Sequence, residues 1–376
     1  MDFSFTEEQK MFRQTIRKFA RHEILPRAKE WDRERKYPWP IARRFAELGL
    51  AEPCIDYVSR GILVEEVAYS DFNCAFPVLA TTLPFKIYQL EGVPEEVAAP
   101  LREGMIARGK MLSICFTEPG AGSDFANIAT TAIKDEDGWI INGCKDSVSF
   151  AGIADAYIVW ARTENKKGIW SFSSFLVPCG LPGVSAPTLW DDVGTRGTPR
   201  GVVYFDNVHI PSNYLIGALG RGFEYAAELY DTNRALIGLL CVGPAQASID
   251  ETVEYAKKRE VFGNPISRYQ AISLPLAEGY TLLEAARLLC YKTLWMADKG
   301  IRHSVEGGMC KWWVPEICFD IVRKCLLFHG HYGYTTDLPF EQRMRDILGW
   351  QIGDGTQEIS KLIIARHIFG GKEFTG

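Results

Sequence analysis

The stretch Ile-Cys-Phe-Thr-Glu-Pro-Gly-Ala-Gly-Ser-Asp, residues 114–124, lies where the character of the chain changes. It completes a short run of β-forming residues and then brings two glycines, a proline and small hydroxyl residues close together. Glycines in such a turn let backbone N–H groups approach a bound ring or a phosphate. A plain β-turn is the alternative, because the spacing matches neither a P-loop nor a dinucleotide-binding turn.

Helical periodicity precedes this stretch. From residue 1 to about 110, apolar residues recur every three or four positions, and Ser4 or Thr6 can cap the first helix. The helices expected in this region extend from the cap to Pro26 and over residues 41–48, 60–69 and 80–90. The first region is therefore predicted to be a helical domain.

The residues after 111 follow a different period. Short runs rich in β-branched and aromatic residues, such as Ala-Tyr-Ile-Val-Trp-Ala-Arg at 156–162, are separated by turn signals. The turn signals are Pro119-Gly120, Asp137-Gly138, Asn142-Gly143 and Pro182-Gly183. They predict a small all-β domain, a barrel or a sandwich.

Helical periodicity returns near the last third of the chain. Long amphipathic windows cover residues 222–255, 272–298 and 304–328. We therefore predict a mainly α fold with a middle β-domain. The predicted domains are an N-terminal helical domain over 1–110, the β-domain over 111–218 and a C-terminal helical bundle over 219–376.

The composition excludes several classes of function. Of the 376 residues, 47% are apolar, and the net charge of −5 gives no basic surface for nucleic acid or an anionic membrane. The acidic N-terminus lacks the apolar segment of a signal peptide, and no run approaches the roughly 18 apolar residues of a spanning helix. Ten cysteines without C-x-x-C spacing and six histidines without paired spacing predict free thiols in a reducing cytoplasm and no metal site.

A second unusual stretch is Gly-Trp-Gln-Ile-Gly-Asp-Gly-Thr-Gln-Glu-Ile, residues 349–359. Asp354 stands between two glycines, on a turn that precedes a helical run. A carboxylate in this place can act on a ligand that comes close to the turn. It can also simply hydrogen-bond its own turn, as Asp-Gly pairs often do.

The chain resembles the acyl-CoA dehydrogenase family over nearly its whole length. The motifs that carry the resemblance are T-E-P-G-A-G-S-D at 117–124, W-I-I-N-G-C-K at 139–145, K-K-R-E-V-F-G-N-P-I-S-R-Y-Q-A-I at 257–272, H-G-H-Y-G-Y at 329–334, M-R-D at 344–346 and D-G-T-Q-E-I at 354–359. The resemblance implies an N-terminal helical domain, a middle β-domain and a C-terminal four-helix bundle. It also implies an oxidoreductase with non-covalent FAD, an acyl-CoA substrate, an electron-transferring flavoprotein as acceptor, and a homotetramer.

The resemblance also assigns site residues. The positions implied to contact FAD are Phe116, Thr117, Gly122, Ser123, Ser147, Ser149, Arg259, Phe262, Gln270, Gly330, Thr356 and Glu358. Among them, Arg259, Phe262 and Gln270 would reach the FAD of a neighbouring subunit. The positions implied to contact substrate are Leu79, Ser123, Tyr230, Arg234, Gly353 and Gly355.

The position of Asp354 in the resembling family carries the catalytic base, most often a glutamate. This base removes the proton next to the thioester carbonyl, while a hydride leaves the next carbon for the flavin N5. Asp is one methylene shorter than Glu, so its carboxylate retracts by roughly 1 Å, and a misplacement of that size can cost on the order of 100-fold in rate. A carboxylate that faces an apolar acyl group should have a raised pKa, which suits a base near neutral pH.

Further departures from the family concern the space around the reacting carbons. Gly353 stands where the family usually has a bulky aromatic residue, and Ser147 and Ser149 fall within the motif that often carries a tryptophan. We therefore expect a wide substrate, branched or alicyclic, such as cyclohexane-1-carboxyl-CoA. A 1,4-dehydrogenation that gives a cyclic diene remains an alternative. In the subgroup that performs it, the base is an aspartate in the segment that matches 78–84, and this chain has no acid there.

Two alternatives from other classes remain open. One is a lyase on the same flavin-binding fold, which would expel a leaving group without net reduction of FAD. The other is a non-catalytic protein that binds acyl thioesters. The carboxylate at position 354 argues against the first, and the flavin-contact motifs argue against the second.

Overall fold

The computed structural model describes residues 4–50, 56–81, 89–108, 110–164 and 168–371, with the side chains of 78–81 and 105–108 left out. The first region is helical. Its helices are α1 (Glu7–Phe19), α2 (Ala28–Glu34), α3 (Trp39–Glu47), α4 (Tyr57–Ser70), α5 (Phe72–Thr81) and α6 (Glu95–Arg108). Thr6 caps α1 through a reciprocal capping box with Gln9, in which each backbone N–H donates to the other side chain at 3.2 and 3.1 Å.

One expectation for this region differs from the structure, and another falls mostly on residues that the structure does not describe. Pro26 does not end the helical path: α1 continues through a π-turn at Ala20–Ile24 and a 3₁₀ turn at Leu25–Arg27 into α2. The missing N–H of a proline is harmless in the first turn of a new helical segment, which is where Pro26 lies. The helix expected over 80–90 lies mostly outside the described part of the chain, at residues 82–88; residues 80–81 belong to the end of α5.

The middle region forms one mixed sheet. Its strands are β1 (Leu112–Cys115), β2 (Thr131–Lys134), β3 (Gly138–Ser149), β4 (Ala156–Arg162), β5 (Phe172–Pro178), β6 (Val184–Leu189), β7 (Arg200–Pro211) and β8 (Leu215–Ile216). The order is β6-β7-β3-β2-β4-β5-β8, and β1 pairs in parallel with β4. On β4, Tyr157 and Val159 face a core within the β-domain, while Ile158 and Trp160 face the core shared with the helices.

One turn signal marks a bulge instead of a turn. Asn142-Gly143 lies inside β3, where the register with β7 shifts between Ile141 and Gly143. Gly143 has a φ of 144°, and a Cβ there would lie 2.6 Å from the Thr130 hydroxyl. A glycine is needed because the strand bends closely against its neighbour, and such a bend is typical of a β-bulge.

The last region is a helical bundle. Its elements are α7 (Gly222–Lys258), the short hairpin strands β9 (Glu260–Val261) and β10 (Asn264–Pro265), α8 (Gln270–Asp298), α9 (Ser304–Phe328), α10 (Phe340–Gly349) and α11 (Gln357–Ile368). The middle of α7 is almost entirely buried between α4, α8 and α9. At Gly243 a Cβ would lie 2.6 Å from the backbone nitrogen of Tyr69, so glycine is required for the close approach of α4.

The order of helices, sheet and helices confirms the predicted fold class. Among the described residues, no helix is long and apolar enough to cross a membrane. The cavity discussed next lies where the sheet meets α5, α7 and the turn between α10 and α11.

Candidate active site

A cavity of about 110 Å³ opens between the β-domain and the bundle. Its lining residues are Phe76, Leu112, Ser113, Ile114, Phe116, Thr117, Asp146, Ser147, Ser149, Phe150, Leu229, Tyr230, Asn233 and Asp354. The β-domain supplies the serine and threonine hydroxyl groups together with apolar residues, and α5 and α7 supply the opposite wall. The apolar lining residues of the β-domain are Leu112, Ile114, Phe116 and Phe150, and those of the helices are Phe76, Leu229 and Tyr230. Concave sites with a few convergent polar groups on an apolar surface are the usual sites of ligand binding.

Asp354 lies at the bundle end of this cavity, on the turn between α10 and α11. It has a φ of 55°, and Gly355 has a φ of 98°, so two successive residues adopt the left-handed conformation. Glycine adopts this conformation without strain, and aspartate tolerates it better than most residues. Thr356 then caps α11 by accepting the Ile359 N–H at 3.4 Å. The chain thus reverses sharply and leaves the Asp354 carboxylate facing the cavity.

A buried lysine holds the turn in place. Lys311 on α9 is completely buried, and its ammonium group donates to the backbone carbonyls of Trp350 at 2.7 Å and Gly355 at 2.8 Å. These two carbonyls bracket the turn that carries Asp354. Burial lowers the pKa of Lys311 to about 8, while the negative charge of Asp354 acts in the opposite direction.

The Asp354 carboxylate accepts a hydrogen bond from Asn233 on α7, with 3.1 Å between Nδ2 and Oδ2. Desolvation among the surrounding side chains raises the pKa of Asp354, and the positive charges of Lys311, Arg200 and Arg234 partly offset this rise. A carboxylate with a raised pKa is a stronger base than an ordinary aspartate when it is ionised. Nearby positive charges therefore stabilise the ionised form of Asp354, while burial keeps its carboxylate more basic than that of an ordinary aspartate.

The opposite wall is built on the turn that follows β1. Lys145 on β3 is completely buried and donates to the Phe116 carbonyl at 3.1 Å and to the Glu118 carboxylate at 2.7 Å. Glu118 also accepts the backbone N–H groups of Ala129 and Thr130. Because each charge has a partner, the buried pair can tie the glycine-rich turn to the sheet.

Ser147 and Ser149 lie on an irregular part of β3. The register with β7 shifts between Lys145 and Val148, and Ser147 has a φ of 53°. A bulge of this kind re-aims side chains at the edge of a sheet. Both serines line the cavity, and their small side chains leave this wall open.

Aromatic rings form much of the remaining surface. Phe150, with a φ of 64°, stacks on Phe76 at a centroid distance of 5.5 Å, and Phe76 contacts Trp350 at 5.1 Å. Phe116 faces Tyr230 edge-on at 6.2 Å. Burial and the nearby Asp354 both raise the pKa of Tyr230, so this phenol stays neutral at physiological pH. A ligand in this part of the cavity would therefore contact an aromatic surface.

The structure brings together about half of the positions assigned from the sequence. Those that line the cavity are Phe116, Thr117, Ser147, Ser149, Tyr230 and Asp354. Gly353 and Gly355 flank Asp354 on its turn, while Thr356 and Glu358 begin the helix that follows it.

Of the remaining assigned positions, those whose side chains the structure describes do not line the cavity. Arg234 is buried and forms an ion pair with Asp231 at 3.0 Å. The exposed positions are Gly122, Ser123, Arg259, Gln270, Gly330 and Phe262, whose side chain is 92% exposed. Leu79 belongs to α5, but its side chain falls outside the described part of the chain.

Several residues of the site were missed by the sequence interpretation. Phe76, Phe150, Asn233 and Lys311 are brought in by the fold and lie in none of the quoted motifs, whereas Lys145 ends the motif at 139–145 but was assigned no role there. One signal was available for Lys311, because it is a single cation in the apolar helical run Met-Cys-Lys-Trp-Trp at 309–313. Among the described residues, no group of His, Cys, Asp and Glu could hold a metal ion.

Three family models match the chain in the order of its three regions. The acyl-CoA dehydrogenase N-terminal domain matches residues 6–92, the middle domain 113–208 and the C-terminal domain 220–369. The chain belongs to the acyl-CoA dehydrogenase family. This membership confirms the expected enzyme class. The expected cofactor, FAD, is confirmed as well, since members of this family are FAD-dependent and a solved FAD-dependent dehydrogenase superposes with a TM-score of 0.90 at 26% identity.

Individual proteins align with this chain along nearly its full length. A 3-(aryl)acrylate reductase of Clostridium sporogenes is 33% identical, and the alignment covers 97% of this chain and 99% of the relative. An acryloyl-CoA reductase (NADH) of Anaerotignum propionicum is also 33% identical, with 98% and 96% covered. The solved structure of butyryl-CoA dehydrogenase from Megasphaera elsdenii superposes with a TM-score of 0.93 at 28% identity, covering 98% of this chain and all of that one.

The residues present fit a flavin. The β-domain wall offers the hydroxyl groups of Thr117, Ser147 and Ser149 to the polar edge of a flat ring, and aromatic side chains surround the rest of the cavity. On the turn at 117–124, a Cβ at Gly120 or Gly122 would have no atom within 4 Å, so the backbone there is open to a ligand. This wall would hold the isoalloxazine ring, with Asp354 across the cavity from it.

Proposed function

We propose that this enzyme removes hydrogen from the α- and β-carbons of an acyl-CoA thioester, with Asp354 as the base that takes the α-proton. The observation that carries the proposal is the Asp354 carboxylate, which faces the cavity and is bonded by Asn233 instead of by its own turn. The other carboxylate in the lining, Asp146, is held by the Ser147 N–H at 2.6 Å and the Trp190 indole at 3.1 Å.

The proposed chemistry needs one proton acceptor from the protein. Asp354 receives the α-proton on a carboxylate oxygen, and the electron pair of the broken bond enters the new Cα=Cβ double bond. FAD, when bound, supplies the acceptor for the hydride that leaves the β-carbon. Lys311 keeps the turn, and with it the carboxylate, from shifting when the charge on Asp354 is neutralised. Holding the reacting groups in a fixed geometry contributes much of the rate acceleration by an enzyme.

We further propose that the acyl group is branched or cyclic, with cyclohexane-1-carboxyl-CoA as the representative. Serines at 147 and 149 line the cavity with small side chains, and glycine at 353 adds no side chain next to Asp354. The rings of Phe76 and Phe150 offer apolar surface to a wide group. A ring carbon that bears the thioester is crowded, which suits a base one methylene shorter than glutamate. The name of the Clostridium sporogenes relative refers to a substrate with a ring, which supports the same view.

The reverse reaction is a second candidate. Both curated relatives described above are named as reductases, one of an arylacrylate and one of acryloyl-CoA. In that direction Asp354 would deliver a proton to the α-carbon of a conjugated enoyl thioester. The same residues serve both directions, so the equilibrium and the electron donor decide which one operates.

An anaerobic titration of the flavin-loaded enzyme tests the proposal. Cyclohexanecarboxyl-CoA should bleach the flavin band near ~450 nm, and butyryl-CoA should do so much more slowly, because hydride transfer reduces the flavin. Asp354→Asn should abolish bleaching by either thioester. Equal bleaching in the variant would contradict the role of Asp354, and faster bleaching with butyryl-CoA would contradict the ring preference.

Product analysis separates the remaining chemical alternatives. A 1,2-elimination gives cyclohex-1-ene-1-carboxyl-CoA, which mass spectrometry registers as a loss of two hydrogens. With that monoene as substrate, a 1,4-elimination would give a cyclic diene. A lyase would release product without any bleaching of FAD.

We propose a homotetramer, with an electron-transferring flavoprotein as acceptor and a cytoplasmic location. Phe262, 92% exposed on the hairpin after α7, supports an interface, as does the apolar surface on α8. The exposed apolar residues of α8 are Leu274, Tyr280, Leu282, Leu288 and Trp295. All nine described cysteines are free, as expected in a reducing compartment.

Sedimentation of the enzyme tests the oligomer. A mass of four chains is expected, and Phe262→Ser should lower the flavin content of the purified protein if this residue reaches the FAD of a neighbour. A monomer with full flavin content would contradict this part of the proposal. Reduction of a purified electron-transferring flavoprotein by the substrate-reduced enzyme tests the acceptor.

A further inference from the structure

We propose that Asn233 is the positioning residue of Asp354 and serves the carboxyl group in both of its protonation states. The inference rests on the proposed role of Asp354 as base. Before the reaction the amide N–H donates to the carboxylate. After the reaction the amide oxygen accepts the O–H of the carboxylic acid.

The position of Asn233 on α7 supports the first half of the proposal. The side chain is 6% exposed and lines the cavity, and its Nδ2 lies 3.1 Å from Asp354 Oδ2. Its two neighbours in the helix are turned to other partners. Thr232 pairs with the His303 ring at 2.9 Å, and Arg234 pairs with Asp231 at 3.0 Å. Asn233 is therefore the residue of this helical turn that fixes the carboxylate.

The carbonyl end of the amide supports the second half. Asn233 Oδ1 is buried and has no hydrogen-bond partner among the described residues. Buried side-chain oxygens almost always have a partner, so an orphan of this kind calls for an explanation. Rotation of the amide about its last single bond exchanges Oδ1 with Nδ2 and breaks no other bond. The O–H that Asp354 gains with the α-proton then finds an acceptor at the same place.

The charged groups around Asp354 do not offer this exchange. Lys311 from α9, Arg200 from β7 and Arg234 from α7 act on the carboxylate through their charge, and Tyr230 faces it from the preceding turn of α7. The three cations are donors and bond other oxygen atoms, in two backbone carbonyls, in Asp192 and in Asp231. A protonated cation cannot accept a hydrogen bond from a carboxylic acid.

The test is the pH profile of the rate of flavin reduction in single turnovers. Asn233→Leu keeps the side-chain size and removes both the donor and the acceptor. The variant loses a hydrogen bond in each protonation state, but the bond to the ionised carboxylate is charge-assisted and is the stronger of the two. Its loss therefore outweighs the loss of the bond to the neutral acid, and the pKa on the acidic limb should rise by about one unit. Asn233→Asp should raise this pKa further, because two neighbouring carboxylates resist double ionisation. Thr232→Val is the matched control and should leave the limb in place.

The outcomes distinguish the two proposals. If Asn233→Leu and Asn233→Asp lower the rate equally at every pH and leave the acidic limb unmoved, Asn233 is merely structural and the inference is wrong. Should the leucine variant not fold, the nearly isosteric aspartate variant still gives the profile. If Asp354→Asn retains flavin reduction, the proposed function itself fails. If Asp354→Asn is inactive while the Asn233 variants keep the wild-type limb, only the inference about Asn233 fails.

Discussion

Both walls of the cavity contain a completely buried lysine, and the two lysines are used differently. Lys145 in the β-domain meets a carboxylate, Glu118, at 2.7 Å, as well as the Phe116 carbonyl. Lys311 in the bundle bonds the carbonyls of Trp350 and Gly355. In each case the ammonium group organises a turn that carries residues of the site.

The difference lies in where the positive charge acts. The charge of Lys145 is largely matched within its own ion pair, so its effect is mainly to fix the turn on the flavin side. Lys311 bonds uncharged carbonyls, so its charge remains available to lower the pKa of Asp354. Lys145 thus mainly makes the wall of the β-domain rigid. Lys311 makes the wall of the bundle rigid and also lowers the pKa of Asp354. Three predictions about the two lysines test this contrast, and one about Gly353 tests the space beside Asp354; they are given from the largest expected effect to the smallest.

Lys145→Met should destabilise the fold strongly. It leaves Glu118 buried without its cation, and loss of one partner of a buried pair typically costs about 3–5 kcal/mol. We expect this loss in the free energy of unfolding, measured with urea. The double variant Lys145→Met/Glu118→Gln should recover part of it, because the uncompensated charge is gone. A loss below about 1 kcal/mol would show that the pair does not hold this wall.

Lys311→Met should act mainly on the chemistry. The turn would lose both bonds to its backbone carbonyls, and a shift of the Asp354 carboxylate by about 1 Å can lower the rate on the order of 100-fold. Loss of the positive charge should also raise the pKa of Asp354. The measurement is the rate of flavin reduction, with Lys145→Met as the comparison. For each variant, the loss in the rate of flavin reduction is compared with the loss in the free energy of unfolding. If this ratio is the same for Lys311→Met and Lys145→Met, the two lysines do not differ in function.

Gly353→Phe should change substrate choice. Gly353 does not adopt a positive φ, and a Cβ there would lie 3.4 Å from the Gly349 carbonyl oxygen, so a side chain needs only a small adjustment. A ring at this position should exclude a cyclic acyl group and lower kcat/KM for cyclohexanecarboxyl-CoA roughly 10-fold or more relative to butyryl-CoA. Gly353→Ala is the control and should have little effect. An unchanged ratio in the phenylalanine variant would place the acyl group elsewhere.

The titration of Lys311 should be visible in stability. Its pKa of about 8 lies below its ordinary value of 10.5, so between these values the unfolded chain holds a proton that the folded chain has lost. Stability from this group should therefore rise with pH across that window, by up to about 1 kcal/mol per unit. The measurement is the difference in unfolding free energy between the wild type and Lys311→Met at pH 8, 9 and 10. A difference that is constant with pH would contradict the lowered pKa.

Much of the architecture follows from the sequence alone. Helical periodicity on both sides of a β-rich segment was enough to predict the order of helices, sheet and helices. The helix α9 also has the predicted bounds, Ser304–Phe328. Local signals were misleading where tertiary contact decides their meaning. Asn142-Gly143 forms a bulge because Thr130 crowds the strand, and Pro26 begins a new helical segment instead of ending the path.

The site was only partly predictable for a related reason. Asp354 is noticeable in the sequence because it lies between two glycines, and the glycine-rich turn at 117–124 is noticeable by its composition. Asn233, Phe150 and Phe76 give no such signal, since their roles depend on which face of a helix or strand meets the cavity. An asparagine within α7 looks like any polar residue until the fold brings Asp354 to within 3.1 Å of it.

The most direct test of the account is exchange of the α-hydrogen, separated from hydride transfer. An acyl-CoA with sulfur in place of the β-carbon carries an α-proton but no hydride to transfer. In deuterium oxide the wild-type enzyme should exchange this proton for deuterium, as followed by mass spectrometry. Asp354→Asn should slow the exchange roughly 1,000-fold, within the usual range for loss of a general base. Exchange at the wild-type rate in Asp354→Asn would show that another group removes the proton and would contradict the central claim.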